Sequence, residues 1–232
     1  GHAMGIETTT GPLGQGLATS VGMALSEKLL SKKFGADLVN HFTYVIAGDG
    51  CLQEGISHEA IELSGHLKLF KLIVLWDDNE ISIDGSTNLS NSANQISRFK
   101  AAGWHTQLID GHNYQEIETA IRNAKKSTKP SLIACKTKIG FGAPNLVGTS
   151  KTHGAPLGNE EIAETRKALG WIHKPFEIPK EILSDWRQTT ERAKILFDNW
   201  EKNLQQNPKK NRFLSYIEGT IPESYERKIN TF

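Results

Sequence analysis

Cysteine is scarce in this chain: Cys51 and Cys135 are the only two, too few for a disulfide framework or a thiolate metal knuckle of their own. Two scattered thiols fit a reducing compartment, so the expected location is the cytoplasm. An excess of one charge is also missing. The 27 basic and 26 acidic side chains leave a formal net charge of +1, which gives no electrostatic argument for nucleic acid or a membrane surface as a partner. No apolar run is long enough to span a bilayer, and no signal-peptide pattern is visible at the start. Internal repeats and low-complexity segments are absent too.

What is present is ordinary for a globular protein: 38% hydrophobic and 23% charged residues in 232, enough for one α/β domain with a sizeable core and an appended segment. Leu17, Val21, Ala24, Leu25 and Leu29 recur at helical spacing, predicting a helix from Gly14 to about Lys33. Thr43–Gly48 and Leu72–Trp76 read as buried strands, with a helix over Gln53–Leu67 between them. Asn79–Ser92 is a polar loop. A helix over Ser92–Ala102, an extended segment Trp104–Ile109, an amphipathic helix marked by Tyr114, Ile117, Ile121 and Ala124, and a strand Ser131–Thr137 follow. Gly140–Gly158 is a long loop.

The alternation of strand and helix predicts an α/β fold: a parallel sheet with helices on both faces. Pro175 and Pro179 mark a linker, and Ile182, Trp186, Ala193, Leu196, Trp200 and Leu204 form a helical stripe beyond it. The expected organisation is an α/β domain over residues 1–175 and a C-terminal helical extension over 176–232, with a weakly patterned tail from Phe213 to Phe232. The chain opens almost directly into a motif, with no preceding strand or helix, so the N-terminal part of the domain is expected to be missing.

The chemistry concentrates in Gly48-Asp49-Gly50 and Asp77-Asp78-Asn79. Asp49 and Asn79 each follow a predicted strand with one helix between them, so in a parallel sheet both open on the edge where such folds bind ligands. A carboxylate and an amide oxygen suit a hard divalent cation, whose remaining positions are left to carbonyls, water and ligand phosphates. Gly48 and Gly50 permit a sharp turn and close approach to a phosphate, and the following helix aims N–H groups at it. A Gly-Asp-Gly alone is most often a turn. Paired with Asn79 it reads as a metal-assisted phosphate site, with the ligand left open.

Longer words narrow this. Gly5-Ile6-Glu7-Thr8-Thr9-Thr10-Gly11-Pro12-Leu13-Gly14-Gln15-Gly16, Gly48-Asp49-Gly50-Cys51-Leu52-Gln53-Glu54-Gly55-Ile56-Ser57, Asp77-Asp78-Asn79-Glu80-Ile81-Ser82-Ile83-Asp84-Gly85 and His153-Gly154-Ala155-Pro156-Leu157-Gly158 together resemble the transketolase family in wording, order and spacing. The resemblance spans about Gly5 to Pro179 and implies a thiamine-diphosphate-binding fold. It implies magnesium, with calcium or manganese as substitutes, held by the side chains of Asp49 and Asn79 and the carbonyl of Ile81. Gly48 and Gly50 would lie at the diphosphate, Gly11 and Leu13 against the cofactor, and Leu13 and Ile83 near the thiazolium. His153 would reach the diphosphate and the reacting centre, as the catalytic residue of this chain. Glu54 and Glu59 resemble acidic residues near a subunit interface.

Each role has a plainer counterpart. Leu13 and Ile83 read more readily as core residues, Gly11-Pro12-Leu13-Gly14 equally as a tight turn before a helix, and Glu54 and Glu59 as solvated helix positions. Only the word around His153 lifts it above the seven other histidines. The implied activity is two-carbon ketol transfer from a ketose phosphate to an aldose phosphate, in a homodimer acting on sugar phosphates. The cofactor supplies the hard chemistry there. A pyrimidine-binding domain or second subunit would supply the activating glutamate, so this chain, as a fragment or subunit, is expected to be inactive alone. Alternatives within reach of the same words are dihydroxyacetone synthase, deoxyxylulose phosphate synthase, and a non-catalytic cofactor-binding or interaction module.

Overall fold

The computed structural model describes residues 3–220, so the last part of the expected tail, 221–232, lies outside the described residues. The chain divides into two compact units. One comprises Gly1–Ser26 with His41–Ile172, the other Glu27–Asn40 with His173–Phe232.

The first unit is built on four parallel strands, β1 (Thr43–Gly48), β2 (Leu72–Asp78), β3 (His105–Asp110) and β4 (Ser131–Lys136), in the order β1-β2-β4-β3. Alternate residues of the central strands feed two cores. Leu72, Val74, Trp76, Leu132 and Ala134 pack with helix α1 (Gln15–Phe34), through Leu17, Val21 and Ala24, and with Leu52, Ala60, Ile61 and Phe99. Those residues come from α2 (Asp49–Gln53), α3 (Gly55–His66) and α4 (Gln95–Ala101). Ile73, Ile133 and Cys135 face the other way, onto Ala120 and Ala124 of α5 (Tyr114–Lys126). Covering on both faces is why β2 and β4 read as unbroken apolar runs, and each fully buried Leu, Ile or Val contributes about 1.5–3 kcal/mol.

Three differences from expectation bear on the site and its loops. The helix expected from Gln53 starts at Asp49 and breaks at Glu54, whose extended backbone (φ −63°, ψ 142°) separates α2 from α3. Strand β2 runs two residues past Trp76, because Asp77 pairs with Gly48 and Cys135 and Asp78 pairs with Lys136. A helix α6 (Asn159–Ala168) follows the long loop, started by Gly158 at φ +83°.

The second unit contains α7 (Lys180–Gln206) and α8 (Lys210–Ile217), the latter inside the segment expected to be a weakly patterned tail. Its core joins Phe34, Leu38, Val39, Leu204 and Phe213. Phe34 and Phe213 meet edge to face at 5.3 Å, and the Trp200 indole donates to the Leu38 carbonyl at 2.9 Å.

Candidate functional site

Parallel pairing sets Gly48 of β1 beside Asp77 of β2, so the residues that follow emerge side by side at one sheet edge. At Gly48 the backbone is extended (φ −90°, ψ 179°) and turns directly into α2, whose first residue is Asp49 and whose N-terminus no side chain caps. The far end of α2 is tied down. Ser57 Oγ donates to the Cys51 carbonyl at 2.5 Å, and Arg98 Nη2 to the Leu52 carbonyl at 2.8 Å. Gly14 (φ +79°) lets the segment before α1 pass this turn, since a Cβ there would lie 2.8 Å from Glu54 Cβ and 2.9 Å from Ile56 Cγ2. That passage carries Leu13 to Gly50, where a Cβ would stand 3.1 Å from Leu13 Cδ1.

The half-buried Asp49 carboxylate accepts its side-chain hydrogen bond on one oxygen. Trp76 Nε1–H donates to Oδ1 at 3.1 Å, while Oδ2 is buried with no hydrogen-bond partner. Burial pushes the Asp49 carboxyl up to about 6, and the Asp78 carboxylate adds to the rise. The Trp76 indole and, more loosely, the Glu80 backbone N–H oppose it. A buried acceptor without a donor is costly and is a place for a cation.

Asn79 is oriented by its neighbours. Its Oδ1 accepts the Ile81 N–H at 2.9 Å and its Nδ2 donates to Asp77 Oδ2 at 2.9 Å. Thr137 Oγ1 donates to the other oxygen of Asp77. Glu80 takes the left-handed region (φ +61°), which turns the chain so that Ile81 bridges Ser86. Lys136 Nζ pairs with Glu80 at 2.7 Å and Asp78 at 3.2 Å. Burial raises the Asp78 carboxyl and Lys136 offsets part of that rise. Burial, then Asp77 and Asp78, push the Cys135 thiol up to about 11, so it stays protonated at neutral pH. A cleft of about 280 Å³ opens beside this group, lined among others by Asp49, Trp76, Asp78, Glu80, Gln95 and Lys136.

Of the residues singled out in the sequence, Leu13, Gly48, Asp49, Gly50, Asn79 and Ile81 gather around the ends of β1 and β2. Gly11, Ile83 and His153 are exposed, and so is Leu13 although it lies against Gly50, so neither Leu13 nor Ile83 is a core residue. A Cβ at Gly11 would meet nothing within 4 Å, Ile83 sits in the turn closed by Ser82 N–H to Gly85 O at 2.7 Å, and His153 ends the short helical turn Ser150–Thr152. Glu54 stands in the break between α2 and α3, and both Glu54 and Glu59 are exposed. The loop carrying His153 is anchored by Glu161 of α6. Its Oε1 accepts from Asn145 N at 2.8 Å and Leu146 N at 3.1 Å, and its Oε2 accepts from Asn145 Nδ2 at 2.8 Å.

Residues 1–218 match the family described as "Transketolase, thiamine diphosphate binding domain". The chain belongs to the transketolase family. The transketolase of Sinorhizobium medicae is 55% identical over 229 residues, covering 99% of this chain and 32% of that protein. Transketolase 1 of Escherichia coli is 46% identical over 242 residues, covering 100% of this chain and 36% of that protein. Among solved transketolases, that of Leishmania mexicana superposes with a TM-score of 0.92 at 38% identity, over 97% of this chain and 35% of that one. That of Campylobacter jejuni gives 0.89 at 41% identity, over 91% and 34%. The chain thus spans about a third of the length of the transketolases it matches. The family words in the sequence find the backbone of the site but miss its supports: Trp76, Lys136, Thr137, Arg98 and Glu161. Trp76 reads as the last apolar residue of a strand. The only outward sign of Glu161 is an acidic pair at the start of α6.

Proposed function

We propose that this chain holds the diphosphate and magnesium end of thiamine diphosphate, for two-carbon ketol transfer from a ketose phosphate to an aldose phosphate. In this reading one side-chain oxygen each from Asp49 and Asn79 and the carbonyl of Ile81 hold the ion. Water and diphosphate oxygens would fill the positions that these residues leave open on a hard divalent ion. The observation that carries the reading is the buried, unpartnered Asp49 Oδ2 at the β1 and β2 ends. The fit of Gly50 against Leu13, where a Cβ would be crowded, supports a backbone cradle for the diphosphate. Asp77 and Thr137 orient Asn79, and Lys136 offsets the neighbouring carboxylates. Gly11, Leu13 and Ile83 contact the cofactor, and exposed His153 is free to turn toward the diphosphate and the reacting centre.

When bound, the cofactor supplies the carbon nucleophile for cleavage beside a ketose carbonyl. The activating glutamate comes from a pyrimidine-binding domain or a second subunit, in a cytoplasmic homodimer, so the chain alone does not turn over. Domains 1–175 and 176–232 then divide cofactor binding from the helical extension. Calorimetry tests the reading. Thiamine diphosphate should bind only with a divalent ion and lose binding in Asp49→Ala, and ketose and aldose phosphates should give no turnover. Ion-independent binding, or unchanged binding in Asp49→Ala, refutes the site; turnover by the chain alone refutes its dependence on a partner.

A further inference from the structure

We propose that His112 is a positioning residue for His153, because its ring accepts the Lys138 N–H and stacks on Phe141, and so fixes the start of the loop that carries His153. The inference rests on the reading of His153 as a residue that meets the bound cofactor.

His112 stands in the turn between β3 and α5. Gly111 N–H ties this turn to the Lys136 carbonyl at 2.7 Å, and His112 N–H donates to Asp110 Oδ1 at 2.9 Å. The ring reaches across to the chain leaving β4. Lys138 N–H donates to its Nε2 at 3.1 Å, and Phe141 stacks on it with ring centroids 4.1 Å apart and planes at 20°. Residues 138–141 are thereby held, and they support the far end of the loop. The Ile139 carbonyl accepts Gly148 N–H at 2.8 Å. Gly140 (φ +67°) lies so close to Thr152 that a Cβ there would stand 2.8 Å from Thr152 Cγ2. His153 follows directly, its N–H donating to the Ser150 carbonyl at 2.9 Å. His112 thus acts on His153 through the backbone of 138–140 and through Thr152.

An acceptor at Nε2 requires the neutral ring with its proton on Nδ1. A second proton would set a donor against the Lys138 donor, so the tie holds while the ring is neutral and breaks as the pH falls and the ring charges. The charged residues of the packed segments are Asp110 in the turn, Glu116 of α5, which accepts the Asp110 N–H at 2.9 Å, and Lys136 and Lys138 on the chain leaving β4.

The test uses the 232-residue chain as native protein, His112→Phe, which keeps a ring on Phe141 without an acceptor, His153→Ala, and the double variant. Amide exchange in the ligand-free chain reads the tie. Protection at Lys138 and Gly148 should fall about fivefold in His112→Phe, the worth of one neutral hydrogen bond, while β4 amides keep native protection. Unchanged protection at both amides, or an equal loss throughout β4, overturns the proposal. Calorimetry with thiamine diphosphate and Mg²⁺ reads the consequence. His112→Phe should bind about fivefold more weakly than the native protein at about pH 8, and the gap should close toward about pH 5. No such gap should separate the double variant from His153→Ala. A gap of the same size with and without His153, or at both pH values, overturns the positioning role and leaves the cofactor site standing. Native affinity in His153→Ala overturns the reading of His153 itself, and the role of His112 with it.

Discussion

Replacing Asp49 by asparagine is expected to separate stability from binding. In the metal-free chain the Asp49 carboxyl is raised from 3.8 to about 6, first by burial and then by the Asp78 carboxylate. A group whose folded value lies above its unfolded value binds protons more tightly in the folded chain. It therefore supports the fold at low pH, and that support is lost as the pH rises from about 4 to about 6. At pH 7.5 the ionised form costs roughly 3 kcal/mol on the full shift. Solvent reaching the half-buried carboxylate screens part of this, and about 1–2 kcal/mol is the expected remainder. Asparagine keeps an oxygen for the Trp76 indole and carries no charge. Asp49→Asn should therefore raise the unfolding midpoint at pH 7.5 by about 2–8 °C, at roughly 2–4 °C per kcal/mol for a chain of this size. The gain should vanish near pH 4, where native Asp49 is protonated. The same variant should lose divalent-ion-dependent binding of thiamine diphosphate. Thermal unfolding followed by circular dichroism between pH 4 and 8 measures the first effect, and calorimetry the second. A stability difference of equal size at pH 4 and pH 7.5, or a less stable variant at pH 7.5, would refute the electrostatic reasoning.

Gly65→Ala should destabilise the chain by about 3 kcal/mol in urea unfolding. Its Cβ would stand 1.8 Å from the Ala102 carbonyl oxygen, which is backbone and cannot swing aside; an unchanged midpoint would contradict that packing. Glu161→Ala leaves Asn145 N, Asn145 Nδ2 and Leu146 N without their acceptor, so amide exchange across 140–158 should quicken, with Glu161→Gln restoring part of the protection. Hydrogen bonds from the Asn145 side chain and backbone hold the Glu161 carboxyl below its usual range. The anchoring is therefore present at neutral pH and weakens as the pH falls through and below that range; protection independent of both residue and pH would dismiss the anchor.

Much of the sheet was legible in the chain because its central strands β2 and β4 are covered on both faces, whereas β1, expected to be buried, is an edge strand that leaves Tyr44 and Ile46 exposed. Thr43–Gly48 alternates weakly, yet its run of small and β-branched residues ending in glycine marks the strand with the bounds found in the structure. Leu72–Trp76 was readable as a strand from its apolar run, whereas Asp77 and Asp78 were not. Their membership comes from pairing with Gly48, Cys135 and Lys136, partners distant in sequence. The break at Glu54 was hidden for a related reason. The apolar pattern over Gln53–Leu67 reads as one helix through Glu54, and the interruption accompanies the close pass of Gly14. Helix α6 was missed because its Gly start at positive φ has no side-chain cap, which leaves the acidic pair Glu160 and Glu161 as its one N-terminal signal.

The sequence by itself determined which oxygen-bearing residues stand near strand ends, Asp49 and Asn79, because local order places each shortly after an apolar run, and its longer words carried the family. The tertiary structure alone decided how those oxygens are dressed. Parallel register brings Trp76 onto Asp49 Oδ1 and leaves Oδ2 bare, sets Thr137 on Asp77, and draws Lys136 between Asp78 and Glu80. These contacts join residues far apart along the chain, and those at Asp49 and Asp77 are strengthened by burial, a property no local stretch of sequence possesses.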